Sequence, residues 1–340
     1  MKATLSRVVE RWWDGEGGVG GRIFDVAATP AEWLWRAASV ARRRSVGAGL
    51  SIGRPVISVG NVAVGGTGKT PFVGWIVRQL AAAGVAPGVV VHQVAEDEAH
   101  LLRSWTPDIP VVVDADRVRG ATQAVERGAA TVVLDDGFQH HRLLRDLDVV
   151  LWAVEDPIPG RVLPRGRLRE PLEALRRADA VVITRRGLHD RTRLVADELR
   201  DFLGHDAPPV VGSVYLEPGR LESLVSGGDP GEPSPQTSVL ACAGIARPSR
   251  FFDHVRDRFG SHGEVRFADH HTYDARDARG LRDRAAGRPI LITEKDAVKL
   301  RPFAEVLGPT WVLLQRLSWA WGEEDTRALV VHAARGRPAS

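Results

Sequence analysis

Short β-branched apolar runs recur along the chain at residues 55–59, 88–91, 111–113, 131–134, 149–152 and 180–183, separated by stretches of helical composition. Runs this short and this uniformly apolar suit strands buried on both faces. Their alternation with helices predicts a parallel sheet sandwiched by helices. After the first run, Val73, Ile76, Val77 and Leu80 recur at the spacing of one helix face, and Gly84 supplies a stop. Further on, residues 210–216 and 221–225 flank Glu217-Pro218-Gly219-Arg220, which predicts a β-hairpin. The breaker-rich segment from Gly227 to Pro235 reads as a linker, and the alternation restarts with runs at 238–242, 265–267, 290–293 and 311–314. The expected fold class is α/β, with a first domain over residues 1–208 and a second, smaller α/β domain joined through the hairpin over 209–340. No internal repeat is visible.

The N-terminal region has its own pattern. Thr29-Pro30-Ala31-Glu32 has the letters of a capping box with Pro at the first helical position, which predicts a helix starting there. Glu32, Arg36, Ser39 and Arg43 form its polar stripe, while Trp33, Leu34, Ala37 and Ala41 lie on the other side. Trp33 and Trp35 beside Arg42-Arg43-Arg44 suit an amphipathic helix lying in a lipid headgroup layer. A helix packed on its own domain by those tryptophans fits the pattern equally. Upstream, Gly15-Glu16-Gly17-Gly18-Val19-Gly20 matches the letters of a dinucleotide site, but no strand precedes it and no periodic helix follows. A flexible loop is expected there.

Composition narrows the classes. With 340 residues and 44% hydrophobic content, the chain can bury a full core, and its length favours two domains. A formal charge of +3 is too small to argue for a nucleic-acid partner. Cys242 is the sole cysteine, which excludes an intrachain disulfide or a cysteine-based zinc site and suits a reducing compartment. No secretory-type apolar segment follows Met1, and no run of about 18 apolar residues could span a bilayer, so a transmembrane protein is not expected.

The chemistry concentrates between the first strand and the first periodic helix, at Val64-Gly65-Gly66-Thr67-Gly68-Lys69-Thr70. Gly65, Gly66 and Gly68 let backbone amides close on phosphate oxygens. Lys69 reaches the β- and γ-phosphates, and the Thr70 hydroxyl binds Mg²⁺. A nucleoside triphosphate is the first candidate ligand, although Ala63 stands where the strict pattern has its first Gly. Only four of the 46 basic residues are lysine, so a lysine after Gly68 stands out against an arginine background. The run at 131–134 ends in Asp135-Asp136, at the carboxyl end of a strand where the ligand crevice of a parallel sheet opens. Adjacent aspartates can also start a turn. Paired with the Lys69 loop, they read as the Mg²⁺-controlling carboxylates. The tandem pairs His140-His141 and His270-His271 are not expected to form a metal site, because adjacent rings rarely face one ion.

The run Asp135-Asp136-Gly137-Phe138-Gln139-His140, followed by Arg142 and Asp146, resembles the Asp-Asp-Gly-Phe-Gln-His motif of the tetraacyldisaccharide 4′-kinases of lipid A biosynthesis. The resemblance extends from Val59-Gly60-Asn61 and the Gly65–Pro71 loop, through Leu163-Pro164-Arg165-Gly166-Arg167-Leu168-Arg169-Glu170-Pro171, into the second domain. There it includes Ala243-Gly244-Ile245-Ala246-Arg247-Pro248 with Phe251-Phe252, Asp269-His270-His271, and Thr293-Glu294-Lys295-Asp296-Ala297-Val298-Lys299. Membership of such a family implies a nucleotide-binding phosphate-loop fold and transfer of the γ-phosphate of ATP, with Mg²⁺, to the 4′-hydroxyl of a disaccharide carrying four acyl chains and a 1-phosphate. The product is lipid IV-A, and the place of action is the cytoplasmic face of the inner membrane as a peripheral protein.

Residue by residue, the resemblance makes Asp97 the base and His270 the group that orients or polarises it across the domain cleft. Asp136 joins these catalytic residues, and Thr70, Asp135 and Asp136 hold the metal. Arg117 and Arg169 match basic positions near phosphates, with Gln139 and Glu170 as polar partners. One departure stands out. The family has Ser-Arg-Gly-Tyr-Gly before its Gly-Asp-Glu element, whereas here Val89-Val90-Val91-His92-Gln93-Val94-Ala95 runs almost directly into Glu96-Asp97-Glu98. Two other readings therefore stay open: a membrane-associated nucleotide switch with reduced or lost kinase activity, and a soluble small-molecule kinase.

Overall fold

The computed structural model describes Val9, Trp12, Trp13 and residues 18–45, 47, 49–185, 190–225, 231–245, 248–259, 261–269 and 271–336. The chain divides into two compact units, Met1–Tyr215 with Leu317–Ser340, and Leu216–Arg316.

In the first unit, after helices α1 (Gly18–Ala27) and α2 (Thr29–Ser45), strand β1 (Val56–Gly60) leads to α3 (Lys69–Ala82) and β2 (Pro87–Val91). Then come α4 (Glu96–Trp105), β3 (Val111–Val113), α5 (Arg117–Glu126), β4 (Thr131–Asp135), β5 (Leu147–Ala153), β6 (Ala180–Arg185) and α6 (Thr192–Leu203). Strand β7 (Val210–Ser223) passes from the first unit into the second, and β11 (Thr310–Trp321) passes back. The strand order in the first unit is β3-β2-β4-β1-β5-β6-β7-β11, parallel from β3 through β7.

Successive residues of each strand point to opposite faces, and both faces are buried. Ile57, Val59, Val133 and Val149 join Phe72, Val73, Ile76 and Val77 of α3 in one core. Their neighbours Val56, Val132 and Leu134 pack with Ala121 and Ala124 of α5 in another. Double burial is why these strands read as unbroken apolar runs and not as alternating ones.

The second unit repeats the principle with β8 (Ser238–Ala243), α7 (Ser249–Arg258), β9 (Ser261–Arg266), α8 (Ala275–Ala285), β10 (Ile290–Thr293), α9 (Glu294–Leu300) and α10 (Ala304–Leu307). Its order is β7-β11-β10-β8-β9, with β11, β10, β8 and β9 parallel. Leu240, Cys242, Ile290 and Ile292 face α8, while Val239, Ala241 and Leu291 face Phe252 and Val255 of α7.

Four expectations change. The hairpin is absent: β7 runs unbroken through Pro218 and Gly219. Its partner is antiparallel β11, with Leu224 donating to the Thr310 carbonyl at 2.9 Å and Gly212 set against Trp321. The register with β6 ends at Tyr215, so Pro218 falls where one side of β7 has no ladder to lose. The boundary also moves, because the C-terminal helix α11 (Glu323–Ala334) returns to the first unit. Val330 and Ala334 enter the α3 core, Trp75 donates to Glu323 at 3.2 Å, and Thr131 donates to the Ala334 carbonyl at 2.8 Å. A helix does start at Thr29, but its capping box does not form: the Thr29 hydroxyl donates back to the Asp25 carbonyl at 3.0 Å, and Glu32 pairs with Arg36. Finally, Gly18, Val19 and Gly20 open α1 instead of forming a loop; residues 15–17 lie outside the described residues.

Side-by-side pairing of β1 and β4 sets the position of the phosphate loop against the Asp-Asp turn. Val59 is in register with Asp135, and the Gly137 amide donates to the Val59 carbonyl at 3.1 Å. Gly60 makes this close approach possible, since a Cβ there would overlap the Phe138 Cβ and lie 3.0 Å from its backbone nitrogen. Gly60→Ala is therefore expected to destabilise the fold by about 1–3 kcal/mol, read as a lower denaturant midpoint. An unchanged midpoint would mean that the two loops need not meet.

Candidate active site

The phosphate loop emerges from β1 and closes into α3. Gly65 (φ 114°) and Gly68 (φ 80°) take left-handed conformations that a side chain would strain, and Lys69 is the first helical residue. Helix-terminal amides thus face the loop's concavity, the geometry that favours an anion.

A buried amide organises the loop. Asn61, fully buried, donates through Nδ2 to the Ala63 carbonyl at 2.6 Å and to Thr67 Oγ1 at 3.1 Å. Its Oδ1 accepts from Lys69 Nζ at 3.2 Å, and its backbone carbonyl accepts from Gln139 Nε2 at 2.8 Å. One residue therefore ties the start of the loop, its middle, its lysine and the Asp-Asp-Gly-Phe-Gln turn. Sequence reading included Asn61 only as part of an opening motif. A lone amide directly after a β-branched strand was the available signal.

Asp135 and Asp136 occupy the end of β4 beside this loop. Thr70 Oγ1 donates to Asp135 Oδ2 at 3.1 Å, while Asp135 Oδ1 is buried without a hydrogen-bond partner. Burial pushes the Asp135 carboxyl up to about 7, with the charge of Glu98 adding to the rise and Lys69 opposing it. Asp136 sits in the left-handed region (φ 59°), uncommon for a residue with a side chain and typical of strain held at a functional position. It pairs with Lys69 at 3.5 Å and with Arg169 at 2.8 Å. Burial alone would raise Asp136, yet those two cations hold it below the usual carboxylate range.

A hydroxyl, an unsatisfied buried carboxylate oxygen and a second carboxylate form a donor set that fits Mg²⁺ shared with substrate phosphates. Among the described residues no group of three or more His, Cys, Asp or Glu side chains could hold an ion alone. Burial, with Arg117 adding to it, pushes the His140 imidazole down to about 4, so the ring is neutral near pH 7, and its Nε2 has no hydrogen-bond partner.

The remaining predicted residues fall in graded positions. Arg117 is buried and donates to the Asp135 carbonyl at 2.8 Å and the Asp114 carbonyl at 3.3 Å, so it secures the end of β4. Glu170 is buried against Arg177 at 2.9 Å, and Arg177 lies over the Phe138 ring at 4.6 Å. Asp97 lies in the first turn of α4, buried, with Oδ1 accepting from the Glu98 amide at 3.1 Å. Where the sequence lacks Ser-Arg-Gly-Tyr-Gly, a single 3₁₀ turn over Gln93–Ala95 joins β2 to α4. His270 lies outside the described residues. Glu98, absent from the predicted set, acts on Asp135 through its charge.

Known proteins resemble this chain over most of its length. A family model described as tetraacyldisaccharide-1-P 4′-kinase matches residues 25–93 and 91–334, two stretches that meet at the 3₁₀ turn. The tetraacyldisaccharide 4′-kinase of Geobacter sulfurreducens is 35% identical over 324 residues, covering 86% of this chain and 87% of its own length. That of an Anaeromyxobacter species is 36% identical over 328 residues, covering 87% and 88%. The crystal structure of LpxK from Aquifex aeolicus in complex with ATP superposes with a TM-score of 0.68 at 24% identity, over 92% of this chain and 99% of that one, and so shares the fold. With the family model spanning most of its length and relatives above 30% identity over more than four-fifths of it, the chain belongs to the tetraacyldisaccharide-1-P 4′-kinase family.

Proposed function

We propose that the protein is an ATP-dependent kinase that moves the γ-phosphoryl group to the 4′-hydroxyl of tetraacyldisaccharide 1-phosphate, giving lipid IV-A at the cytoplasmic face of the inner membrane. The observation that carries this reading is the Asn61–Lys69–Asp136–Arg169 chain of contacts around a loop that faces Thr70 and Asp135. It presents cations to a triphosphate and carboxylates to its metal, the two requirements of phosphoryl transfer.

In the reaction, the sugar oxygen forms a bond to the γ-phosphorus as the bond to the β-bridging oxygen breaks, and ADP departs. The hydroxyl proton passes to Asp97, and His270 orients or polarises that carboxylate. Lys69 exchanges Asn61 and Asp136 for the β- and γ-phosphate oxygens. Arg169 and Arg117 bear on the same phosphates from fixed positions, and Gln139 and Glu170 hold the surrounding turn. Thr70, Asp135 and Asp136 would hold Mg²⁺, which would supply charge neutralisation at the phosphates.

A second reading draws on the short 3₁₀ turn that stands in place of the family's longer loop: a nucleotide-dependent protein at the membrane that hydrolyses ATP without phosphorylating lipid.

Labelled ATP, Mg²⁺ and acylated disaccharide 1-phosphate in detergent are expected to yield the 4′-phosphorylated product. Hydrolysis without transfer would select the second reading. Lys69→Ala should lower kcat/KM by about 3–4 kcal/mol, whereas His270→Ala should lower kcat with little change in ATP affinity. An unaltered kcat in the His270 variant would remove it from the mechanism. Asp135 must lose its proton before it binds a cation, so MgATP affinity is expected to strengthen from about pH 6 to about pH 8. Asp135→Asn should flatten that profile in calorimetry, and a wild-type profile already flat would remove Asp135 from the metal site.

A further inference from the structure

The segment Arg161–Arg169 forms a strap between the N-terminal helices and the phosphate loop. On the loop side, Leu168 bridges Ala63 in antiparallel fashion, Val64 donates to the Arg167 carbonyl at 2.7 Å, and the Arg169 amide donates to the Val62 carbonyl at 2.7 Å. On the helix side, Trp35 Nε1 of α2, 134 positions earlier in the chain, donates to the Arg169 carbonyl at 2.8 Å. Arg165 pairs with Glu32 at 2.9 Å and Asp25 at 3.1 Å, Arg161 also pairs with Asp25, and Trp13 donates to the Pro164 carbonyl at 2.8 Å.

Two of these contacts set the direction of one side chain. The peptide groups on either side of a residue are planar, so fixing both fixes φ and ψ and with them the bond from Cα to Cβ. For Arg169 both groups are pinned: the N–H of one on Val62 and the C=O of the other on Trp35. Its guanidinium then meets Asp136 at 2.8 Å. An arginine side chain is long and rich in rotamers, and a single ion pair leaves it latitude that a fixed backbone removes.

The indole is itself held from behind. Glu32, one turn before Trp35 on α2, is buried and pairs with Arg165 of the strap as well as with Arg36. The indole and the carbonyl it meets are thus carried by two segments already joined by an ion pair. Further along α2, the charge of Arg43 bears on His141 and Arg177, the second of which lies over the Phe138 ring. Helix α2 therefore meets the frame of the nucleotide site at two places.

We propose that Trp35 is a positioning residue of the nucleotide site: it fixes the peptide that aims the Arg169 guanidinium, and α2 is thereby part of that site. The placement of Arg169 beside the phosphates comes from the functional reading above; no acceptor and no phosphoryl transfer is involved.

MgATP affinity of the full chain would be measured by calorimetry, without acceptor, for the wild type, Trp35→Phe, Arg169→Met and the double variant, with the thermal midpoint of each recorded alongside. Trp35→Phe keeps an aromatic ring and loses the indole N–H. It is expected to weaken MgATP binding ~3–10-fold, the scale of one hydrogen bond. In the Arg169→Met background the same change should act by less than ~2-fold, since no guanidinium is left to aim. Should Trp35→Phe fail to fold, Arg165→Met, which loosens the hold of α2 on the strap without touching the indole, takes its place in the same cycle with the same expectation. Equal weakening in both backgrounds, as a role in stability alone would give, or no weakening in the Arg169 background of the wild type, would overturn the proposal. An Arg169→Met variant that binds MgATP as the wild type does would take Arg169 off the phosphates and overturn it too. Because no acceptor is present, failure of phosphoryl transfer is visible separately from each of these outcomes.

Discussion

Parallel pairing of β1 with β4 is the constraint on which the site depends. With Val59 opposite Asp135, the two strands end level, and the segments after them must leave the sheet side by side. One segment is rich in backbone amides and ends in a helix N-terminus, so it favours anions. The other ends in carboxylates and favours cations. A ligand that satisfies both at once is a metal-bound polyphosphate, a consequence of the register before any individual contact is considered. Gly60 lets Phe138 approach β1 closely enough for Asn61 to accept a hydrogen bond from Gln139.

Within that frame, two adjacent carboxylates are driven apart electrostatically. Asp135 is fully desolvated, senses Glu98, and has one oxygen with no hydrogen-bond partner. Asp136, turned by its left-handed backbone, reaches Lys69 and Arg169 and stays ionised. Neighbouring groups with opposite shifts are the mark of a site that divides tasks between them. Asp136 pairs with Lys69 and Arg169, and Asp135 has an open oxygen that a divalent ion would satisfy.

Much of this was legible from local pattern. The strand, loop and helix around Lys69 announce themselves through β-branched residues, glycines and a 3.6-residue repeat, all short-range signals. The end of β4 is similarly plain because double burial leaves Val132, Val133 and Leu134 as an unbroken apolar run before Asp135. What escaped the sequence depends on distant partners. Pro218-Gly219 has the letters of a turn, yet β11, nearly a hundred residues later, holds it extended. Gly18 and Gly20 look like breakers but begin a helix whose acidic residue Asp25 is paired by strap arginines far along the chain. Asn61 and Arg169 owe their importance to geometry that spacing does not encode: one amide reaching several turns, and one arginine tied by its amide, carbonyl and guanidinium.

The chain's preference for arginine sharpens the meaning of its few lysines. Arginine's planar fork suits fixed attachments, and Arg117 and Arg169 are used in that way, each locked on carbonyls or a carboxylate. Lys69 is different. Its contacts to Asn61 at 3.2 Å and Asp136 at 3.5 Å are long beside the 2.8 Å from Arg169 to the same aspartate, and its ammonium is a compact charge on a flexible stem. The exchange of partners for phosphate oxygens proposed for this group is suited by long initial contacts and a flexible stem. An arginine at 69 would be held more firmly by the same partners through its planar fork, and the proposed exchange falls on one of the four lysines in the chain.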